Sequence, residues 1–366
     1  MKSFVFKLVS IFLSIFLSYI LIFFYFYNTL EKDFKDNFKN SESLFFYKKY
    51  SKKMNHLRYN DGYRSKNKKE EMIYNIIKNE SDKKIILFQG DSWINQINTV
   101  QGAHNLLKKN LTNFSKIINA GVASYSPSLM NVQFNIMEKD FKIKPNVVVI
   151  YVDQTDMGDE LCRYKNLLSL DNSENLLKVG MEEFPLHQGV FNLHEKITFS
   201  EIELKEETKI IKTQLYINYK IKKSLIKTKK RFDKFLNKSR YTKCGWRIIE
   251  NYKVSITDKE KEHFQITLKR LFSTLEKKKF IEKIFVVTHP HRLQLTTKKY
   301  PVDVSDIVSE SIINFKKIEH INFSKILKEN QKFYENFDSI WMKDDIHLNG
   351  KNYKKFLNRI IQTIEG

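Results

Sequence analysis

The chain has the sequence IILFQGDSW at residues 85–93. Four apolar residues in a row, followed at once by turn residues, are typical of a strand that is buried on both faces within a parallel sheet. Ser92 then lies on the turn that leads from this strand into a helix. Because open α/β sheets bind ligands at the carboxyl ends of their strands, the stretch predicts a sheet whose functional edge carries Ser92.

Similar apolar runs recur along the chain, at 117–118, 147–152, 284–287 and around Ile321. The segments between them are long enough for crossover helices, which we predict at 105–111, 129–141 and 258–275, with a final helix at 352–364. Strands that alternate with helices predict an α/β fold with a doubly wound parallel sheet. About 130 residues separate the third and fourth strands, so we expect a largely helical insertion at 160–257.

The N-terminal segment 8–30 holds 23 residues without a charged side chain. A bilayer core of ~30 Å needs about 20 helical residues, and no small-residue cleavage pattern follows, so we predict an uncleaved transmembrane signal anchor. Lys2 and Lys7 precede the segment, whereas the charges just after it nearly cancel. The positive-inside rule then places the N-terminus in the cytoplasm and the main domain outside, which is the periplasm if the cell is Gram-negative.

These patterns divide the chain into four parts, which are a cytoplasmic tail (1–7), the anchor (8–30), a stalk or N-terminal extension (31–83) and an α/β domain (84–366). The composition is 42% hydrophobic and 29% charged residues, which excludes a disordered protein and a polytopic membrane protein. Two cysteines are too few for a disulfide-scaffolded small protein or a four-thiolate zinc site.

The net charge is +22, from 64 Lys and Arg against 42 Asp and Glu. An acidic neighbour or a compositional bias of the whole proteome would explain this excess.

Segment 209–240 holds twelve basic residues and one acid, with apolar residues at roughly helical spacing. It predicts a basic amphipathic helix that lies on an anionic lipid or polymer, or packs on its own domain. No nucleic-acid motif accompanies it, so we predict no nucleic-acid partner.

Two short motifs carry the chemistry. Gly90-Asp91-Ser92 places a hydroxyl between a buried strand and a helix N-terminus, which stabilises developing negative charge. Residues 344–350, DDIHLNG, precede the final helix and hold Asp344 and His347 three positions apart. That spacing lets a carboxylate orient one imidazole nitrogen while the other stays free, as in the base half of a hydrolytic triad.

With these two motifs at opposite ends of one α/β chain, residues 84–160 and 280–364 resemble the SGNH/GDSL hydrolase superfamily. The resemblance implies a flavodoxin-like sheet of five parallel strands and cleavage of esters through an acyl-enzyme. It assigns Ser92 as nucleophile, His347 as general base and Asp344 as its orienter. It also implies that the backbone N–H groups of Ser92 and Gly121 contribute to the oxyanion hole.

The third family motif, Gly-x-Asn-Asp, is absent, since the chain has DQTD at residues 153–156. Direct alignment puts Thr155 at the position of the Asn that completes the oxyanion hole. Gln154 is the closer chemical substitute, because its side-chain amide donates hydrogen bonds as Asn does. Asp153 and Asp156 would otherwise only cap a turn. We therefore expect Gln154, or else Thr155, as the third donor in a divergent member of the superfamily.

His289 and His291 follow the fourth strand, and His-x-His is a metal-binding spacing. No acidic partner is near them in sequence, so we favour a structural or pocket-lining role and predict neither a metal nor a cofactor.

Cys162 and Cys244 bracket most of the insertion. They form either a disulfide, which an extracytoplasmic compartment permits, or two buried thiols.

The functional expectation is a membrane-anchored serine esterase that hydrolyses acyl esters of an envelope glycan or another envelope ester. Two alternatives remain open at this point. One is an O-acyltransferase that uses the same triad on an extracytoplasmic polysaccharide. The other is a non-catalytic envelope assembly protein with the same fold.

Overall fold

The structure is a computed structural model. It describes residues 2–37, 74–78, 84–180, 246–247, 252–253, 256–296, 303–330, 332–334, 336–343 and 346–366, and ten positions between 210 and 228.

The described strands are β1 Tyr74–Lys78, β2 Lys84–Gly90, β3 Phe114–Gly121, β4 Val147–Val152, β5 Leu168–Leu170, β6 Leu176–Val179, β7 Trp246–Arg247, β8 Tyr252–Lys253, β9 Lys283–Thr288 and β10 Ile318–Asn322. The helices are α1 Lys2–Asn37, α2 Ser92–Thr99, α3 Ala103–Asn110, α4 Pro127–Lys139, α5 Gln154–Asp159, α6 Asp258–Glu276, α7 Arg292–Thr296, α8 Val304–Ile312, α9 Phe323–Glu329 and α10 Gly350–Glu365. A π-helical turn, Glu160–Tyr164, continues α5, and a 3-10 turn, Lys165–Leu167, follows it.

The main sheet has six strands in the order β1-β3-β2-β4-β9-β10. The five strands β3, β2, β4, β9 and β10 are parallel. Numbered by their position in the chain, they lie across the sheet in the order 2-1-3-4-5, which is the flavodoxin-like arrangement. All five coincide with the predicted apolar runs. The prediction of an α/β fold with a doubly wound parallel sheet is therefore confirmed.

Strand β1 is a feature that the sequence analysis did not predict. It pairs antiparallel with β3 from within the expected stalk, and its register slips between Asn75 and Ile77. The sheet therefore begins ten residues before the expected start of the domain at residue 84.

Helix boundaries follow local signals. Helix α4 starts at Pro127, two residues earlier than predicted, because Ser126 is its N-cap and proline suits the first helical position. Helix α6 begins with a capping box between Thr257 and Glu260, and its buried residues recur at helical spacing. The helix packs against α4 and α8.

The insertion contains strands as well as helix. Strands β5 and β6 form one antiparallel pair, and β7 and β8 form a second pair of two residues each. Cys162 is disulfide-bonded, and the one other cysteine of the sequence is Cys244, which lies outside the described residues. Of the two possibilities for the cysteines, the structure has the disulfide.

Helix α1 belongs to a compact unit separate from that of the sheet. Its stretch Val9–Thr29 has a mean hydropathy of 2.4, so by length and composition this helix is able to cross a membrane. The described positions between 210 and 228 are helical and belong to the same unit. The Tyr19 hydroxyl of α1 donates to the Gln214 side chain in this second helix.

The predicted apolar face of the basic helix is only partly covered. Ile217 is buried, whereas Ile221 and Leu225 are exposed. The remaining predicted apolar positions, Phe232, Phe235 and Leu236, lie outside the described residues. The role of this helix in binding an anionic surface stays a prediction.

Candidate active site

Ser92 is the first residue of α2, directly after the carboxyl end of β2. Asp91 caps the helix, since its side chain accepts a hydrogen bond from the Trp93 backbone N–H at 2.8 Å. The strand must end in glycine here, because a Cβ on Gly90 would lie 2.7 Å from the Ile94 side chain and 3.1 Å from that of Tyr151. The tight packing places half-buried Ser92 at the sheet edge, as predicted.

His347 meets Ser92 across 255 positions of sequence, with 2.7 Å between Nε2 and Oγ. The segment that carries it is fixed from several sides. The bridge Trp341–Leu348 pairs it with the preceding residues, and the Gln96 side chain of α2 donates to the Leu348 carbonyl at 2.9 Å. Asn349 then caps α10 through a bond from the Asn352 N–H. Asp344, the predicted orienter, lies outside the described residues and stays a prediction.

Trp93 packs beneath this pair. Its ring stacks on Tyr151 with centroids 5.1 Å apart, contacts Phe356 of α10 at 5.7 Å, and lies 6.2 Å from the His347 ring. The Tyr353 hydroxyl donates to the Trp93 carbonyl at 2.7 Å. The residue after Ser92 thus ties the turn to the core and to the final helix.

Gly121 ends β3 beside Gly90. A Cβ there would lie 2.4 Å from the Asn95 backbone nitrogen, so only glycine allows α2 to pack this closely on the strand end. Its N–H donates to the Asn119 side chain at 2.8 Å. The donor that the family resemblance assigns to the oxyanion is therefore already hydrogen-bonded within the protein, and that role of Gly121 stays a prediction.

The loop that follows β3 offers other backbone donors. Val122 donates to the Gly90 carbonyl at 3.1 Å. No described residue accepts a hydrogen bond from the N–H of Ala123 or Ser124. Ser124 has a φ of 64°, a left-handed conformation that non-glycine residues adopt at strained, often functional, positions.

The turn after β4 carries the two candidates for the third donor. Asp153 caps α5, with a reciprocal bond between its backbone N–H and the Asp156 side chain. Gln154 is the first residue of this helix and is buried. The Thr155 hydroxyl donates to Asp153 Oδ1 at 2.7 Å and lies 3.3 Å from Asp91 Oδ2. The Thr155 hydroxyl is therefore already used by Asp153, and the choice of Gln154 as third donor stays a prediction.

Asp91, Asp153 and Asp156 form a buried cluster in which one carboxylate oxygen of each lies within 4.8 Å of the others. Burial raises the pKa of Asp91 well above its usual range, and the charge of Asp153 raises it further. Burial likewise raises the pKa of Asp153 and, more strongly, of Asp156. Each carboxylate already accepts a backbone N–H that caps a helix, so the cluster has a structural cause and we assign no metal to it.

The sequence analysis treated Asp153 and Asp156 as turn caps and Asp91 as part of a motif, and it missed that they meet. The sequence did hold a signal from which this cluster could have been predicted. Asp91 and Asp153 both follow buried parallel strands, and adjacent strands of such a sheet end at the same edge.

His289 has partners at both ring nitrogens, since Nδ1 bonds the Pro290 carbonyl at 2.8 Å and Nε2 the Tyr334 hydroxyl at 3.1 Å. Burial lowers its pKa to about 3, so the ring is neutral at ordinary pH. Its ring packs on that of Trp93 at a tilt of 39°, with centroids 4.9 Å apart. The geometry therefore assigns His289 to the core of the site and offers no free nitrogen for a metal.

No family model and no curated protein matches the chain. Solved structures resemble it weakly. A variant of Axe2, an acetyl-xylooligosaccharide esterase, is 12% identical with a TM-score of 0.40, over 79% of this chain and 97% of that one. A catalytic mutant of Axe2, an acetylxylan esterase from Geobacillus stearothermophilus, is 12% identical with a TM-score of 0.37 and the same coverage.

A third structure, a gut microbial diltiazem-metabolizing enzyme, is 9% identical with a TM-score of 0.38, over 79% of this chain and 48% of that one. At this similarity the comparisons assign no residue and no substrate to the chain, and the account of the site rests on its own geometry.

Asp156→Asn tests the electrostatic cost of the carboxyl cluster. The folded state raises the pKa of Asp156 above its usual 3.8, so the stability that this group contributes at acid pH is lost as the pH rises through the folded pKa. Asn does not ionise. As the pH rises above about 4, the free energy of unfolding from urea titrations should therefore fall less in Asp156→Asn than in wild type.

Asp306→Asn, at an exposed position of α8, is the control and should keep the wild-type pH dependence. If Asp156→Asn also kept it, Asp156 would not be the source of the lost stability.

Proposed function

We propose that the protein is a serine ester hydrolase of the SGNH type. The observation that carries this proposal is the 2.7 Å contact between Ser92 Oγ and His347 Nε2 at the carboxyl edge of the parallel sheet. A hydroxyl and an imidazole in direct contact are the nucleophile and general base of acyl-transfer enzymes.

In this mechanism Ser92 Oγ attacks the ester carbonyl carbon while its proton passes to His347 Nε2. The carbonyl electrons move to the oxygen, and the tetrahedral intermediate collapses with cleavage of the bond to the alcohol, which leaves with the proton from His347. Water then attacks the acyl-enzyme by the same route and releases the acid. Asp91 Oδ2 lies 3.2 Å from Ser92 Oγ, farther than the imidazole, so His347 is the better placed base. Asp344 is proposed to orient the ring.

The oxyanion would be stabilised by groups from three turns at the same sheet edge. The N–H of Ser92 belongs to the first turn of α2, where the helix dipole adds positive potential. The N–H of Ser124 is the proposed second donor, because that of Gly121 is already used. Gln154 is the proposed third donor. The contact of the Thr155 hydroxyl with Asp153 supports this choice.

The proposed substrate is an acyl ester of an envelope glycan or another envelope ester. This part rests on the proposed outside location of the domain and on the family resemblance. Release of free acid from an acylated glycan supports the hydrolase, whereas acyl groups on an added acceptor glycan would make the protein a transferase.

Ser92→Ala should lose about 10⁴-fold or more in turnover of p-nitrophenyl acetate with little change in thermal stability, because a small half-buried turn residue is removed. His347→Ala should behave alike. A fluorophosphonate should modify wild type at Ser92, as identified by peptide mass spectrometry. Ser173→Ala, in the exposed β5–β6 turn, is the control and should keep full activity. Wild-type turnover by Ser92→Ala would overturn the assignment.

Gln154→Ala should lower kcat by about 10²-fold with KM nearly unchanged, which is the usual effect of one lost oxyanion donor. Thr155→Val at the next position is its control and should have the smaller effect on kcat, because the Thr155 hydroxyl already donates to Asp153. The opposite ranking in steady-state kinetics would assign the third donor to Thr155.

The proposed orientation places the C-terminus outside the cytoplasm, with α1 as the anchor. Alkaline phosphatase fused after Gly366 should therefore be active in cells, and a green fluorescent protein at the same place should not fluoresce. Strong fluorescence would overturn this location. It would instead favour α1 packing on the 210–228 helix, as the Tyr19–Gln214 contact allows.

A further inference from the structure

Glu160 is a fully buried carboxylate, with no exposed surface. It accepts three hydrogen bonds from the start of α4, from Ser126 Oγ at 2.6 Å, Ser128 Oγ at 2.8 Å and the Ser128 N–H at 3.2 Å. His263 Nε2 of α6 lies 3.8 Å from Glu160 Oε1, the oxygen that also accepts from Ser128 Oγ. Burying a carboxyl group is costly unless several donors satisfy it, and here three donors from one segment do so.

Tyr164 makes a parallel contact one turn later. Its buried hydroxyl donates to the Ser124 carbonyl at 2.8 Å and also hydrogen-bonds Arg163, which is paired with Asp159 at 2.8 Å. Glu160 and Tyr164 are the first and last residues of the π-helical turn. Inserted π turns of this kind often occur at functional sites.

Both contacts fall on the segment 121–128, which runs from the end of β3 through a short loop into the first turn of α4. It leaves the sheet beside the end of β2, which leads to Ser92. The loop starts at Gly121, the register partner of Gly90, and Val122 is bonded to the Gly90 carbonyl. It contains Ser124 in a left-handed conformation, which a non-glycine residue keeps only where its surroundings hold it. The side chains of Glu160 and Tyr164 restrain this segment, through hydrogen bonds to Ser126 and Ser128 and to the Ser124 carbonyl.

The π turn also continues α5, the helix that begins with Gln154. A rigid connection therefore joins the segment of the proposed third donor to the loop of the proposed second donor. Cys162, which is disulfide-bonded, lies within the same turn.

We propose that Glu160 and Tyr164 are positioning residues for the hydrolytic reaction, which hold the Ser124 backbone N–H in place as an oxyanion donor. This inference rests on the proposed function. Neither side chain reaches the reacting atoms in this role. They act through the loop, so their loss should weaken transition-state binding more than substrate binding.

Tyr164→Phe is the test, since it removes one hydroxyl and leaves the ring. We expect kcat to fall about 10-fold with KM within about twofold of wild type, less than the loss of a whole oxyanion donor. The rate of fluorophosphonate labelling should fall in proportion. Ser311→Ala is the control, because it removes another buried hydroxyl, one that donates to the Ile307 carbonyl within α8 instead of to the loop. It should keep kcat within about twofold.

An unchanged kcat in Tyr164→Phe, a rise in KM alone, or an equal loss in both variants would overturn the positioning role. If wild type itself is not labelled by the phosphonate and turns over no ester, the proposed function is wrong, and the positioning role is wrong with it. If Tyr164→Phe does not fold, Glu160→Gln decides by the same readouts, since it keeps the shape and one acceptor oxygen of the buried side chain.

Discussion

Strand β2 pairs in parallel with β3 on one side and β4 on the other, so three strand ends lie side by side. The chain must leave all three at the same edge, and the turns after Gly90, Gly121 and Val152 therefore converge. Apart from the histidine segment, every group to which we give a chemical role comes from these turns or from residues that hold them. The central place of β2 in the sheet is the constraint on which the site depends.

The closeness of these turns has an electrostatic consequence. The N-terminus of α2 packs directly on the strand ends because Gly90 and Gly121 leave no Cβ in the way. Its positive end then lies at the edge where the proposed reaction would develop negative charge. The same packing brings together the carboxyl groups that cap α2 and α5 and buries them away from solvent. Burial then raises their pKa values, because it disfavours the charged form.

His347 is held by packing that is mostly aromatic. The Trp93 ring contacts the His347 ring and also the core residues Tyr151 and Phe356. The imidazole therefore packs against the same ring that anchors the turn of Ser92. The neutral His289 lies within this layer and behaves as an aromatic residue with both nitrogens satisfied. His347 and Ser92 therefore share one support, Trp93, and lie within hydrogen-bond distance of each other.

Strands β2, β4 and β9 could be predicted from the sequence alone, because a strand buried on both faces is apolar at most positions. Strands β3 and β10 carry polar residues as well, and only their short apolar cores at 117–118 and Ile321 indicated them. Motif spacing alone also pointed to Ser92 and His347. Strand β1 escaped prediction because it is short and lies in a polar extension, where only its pairing with β3 defines it. The partner of the Gly121 N–H, the meeting of three carboxyls and the bonds of Glu160 were decided by tertiary structure. Those contacts join turns that are distant in sequence, and only the folded sheet brings the turns within hydrogen-bond distance.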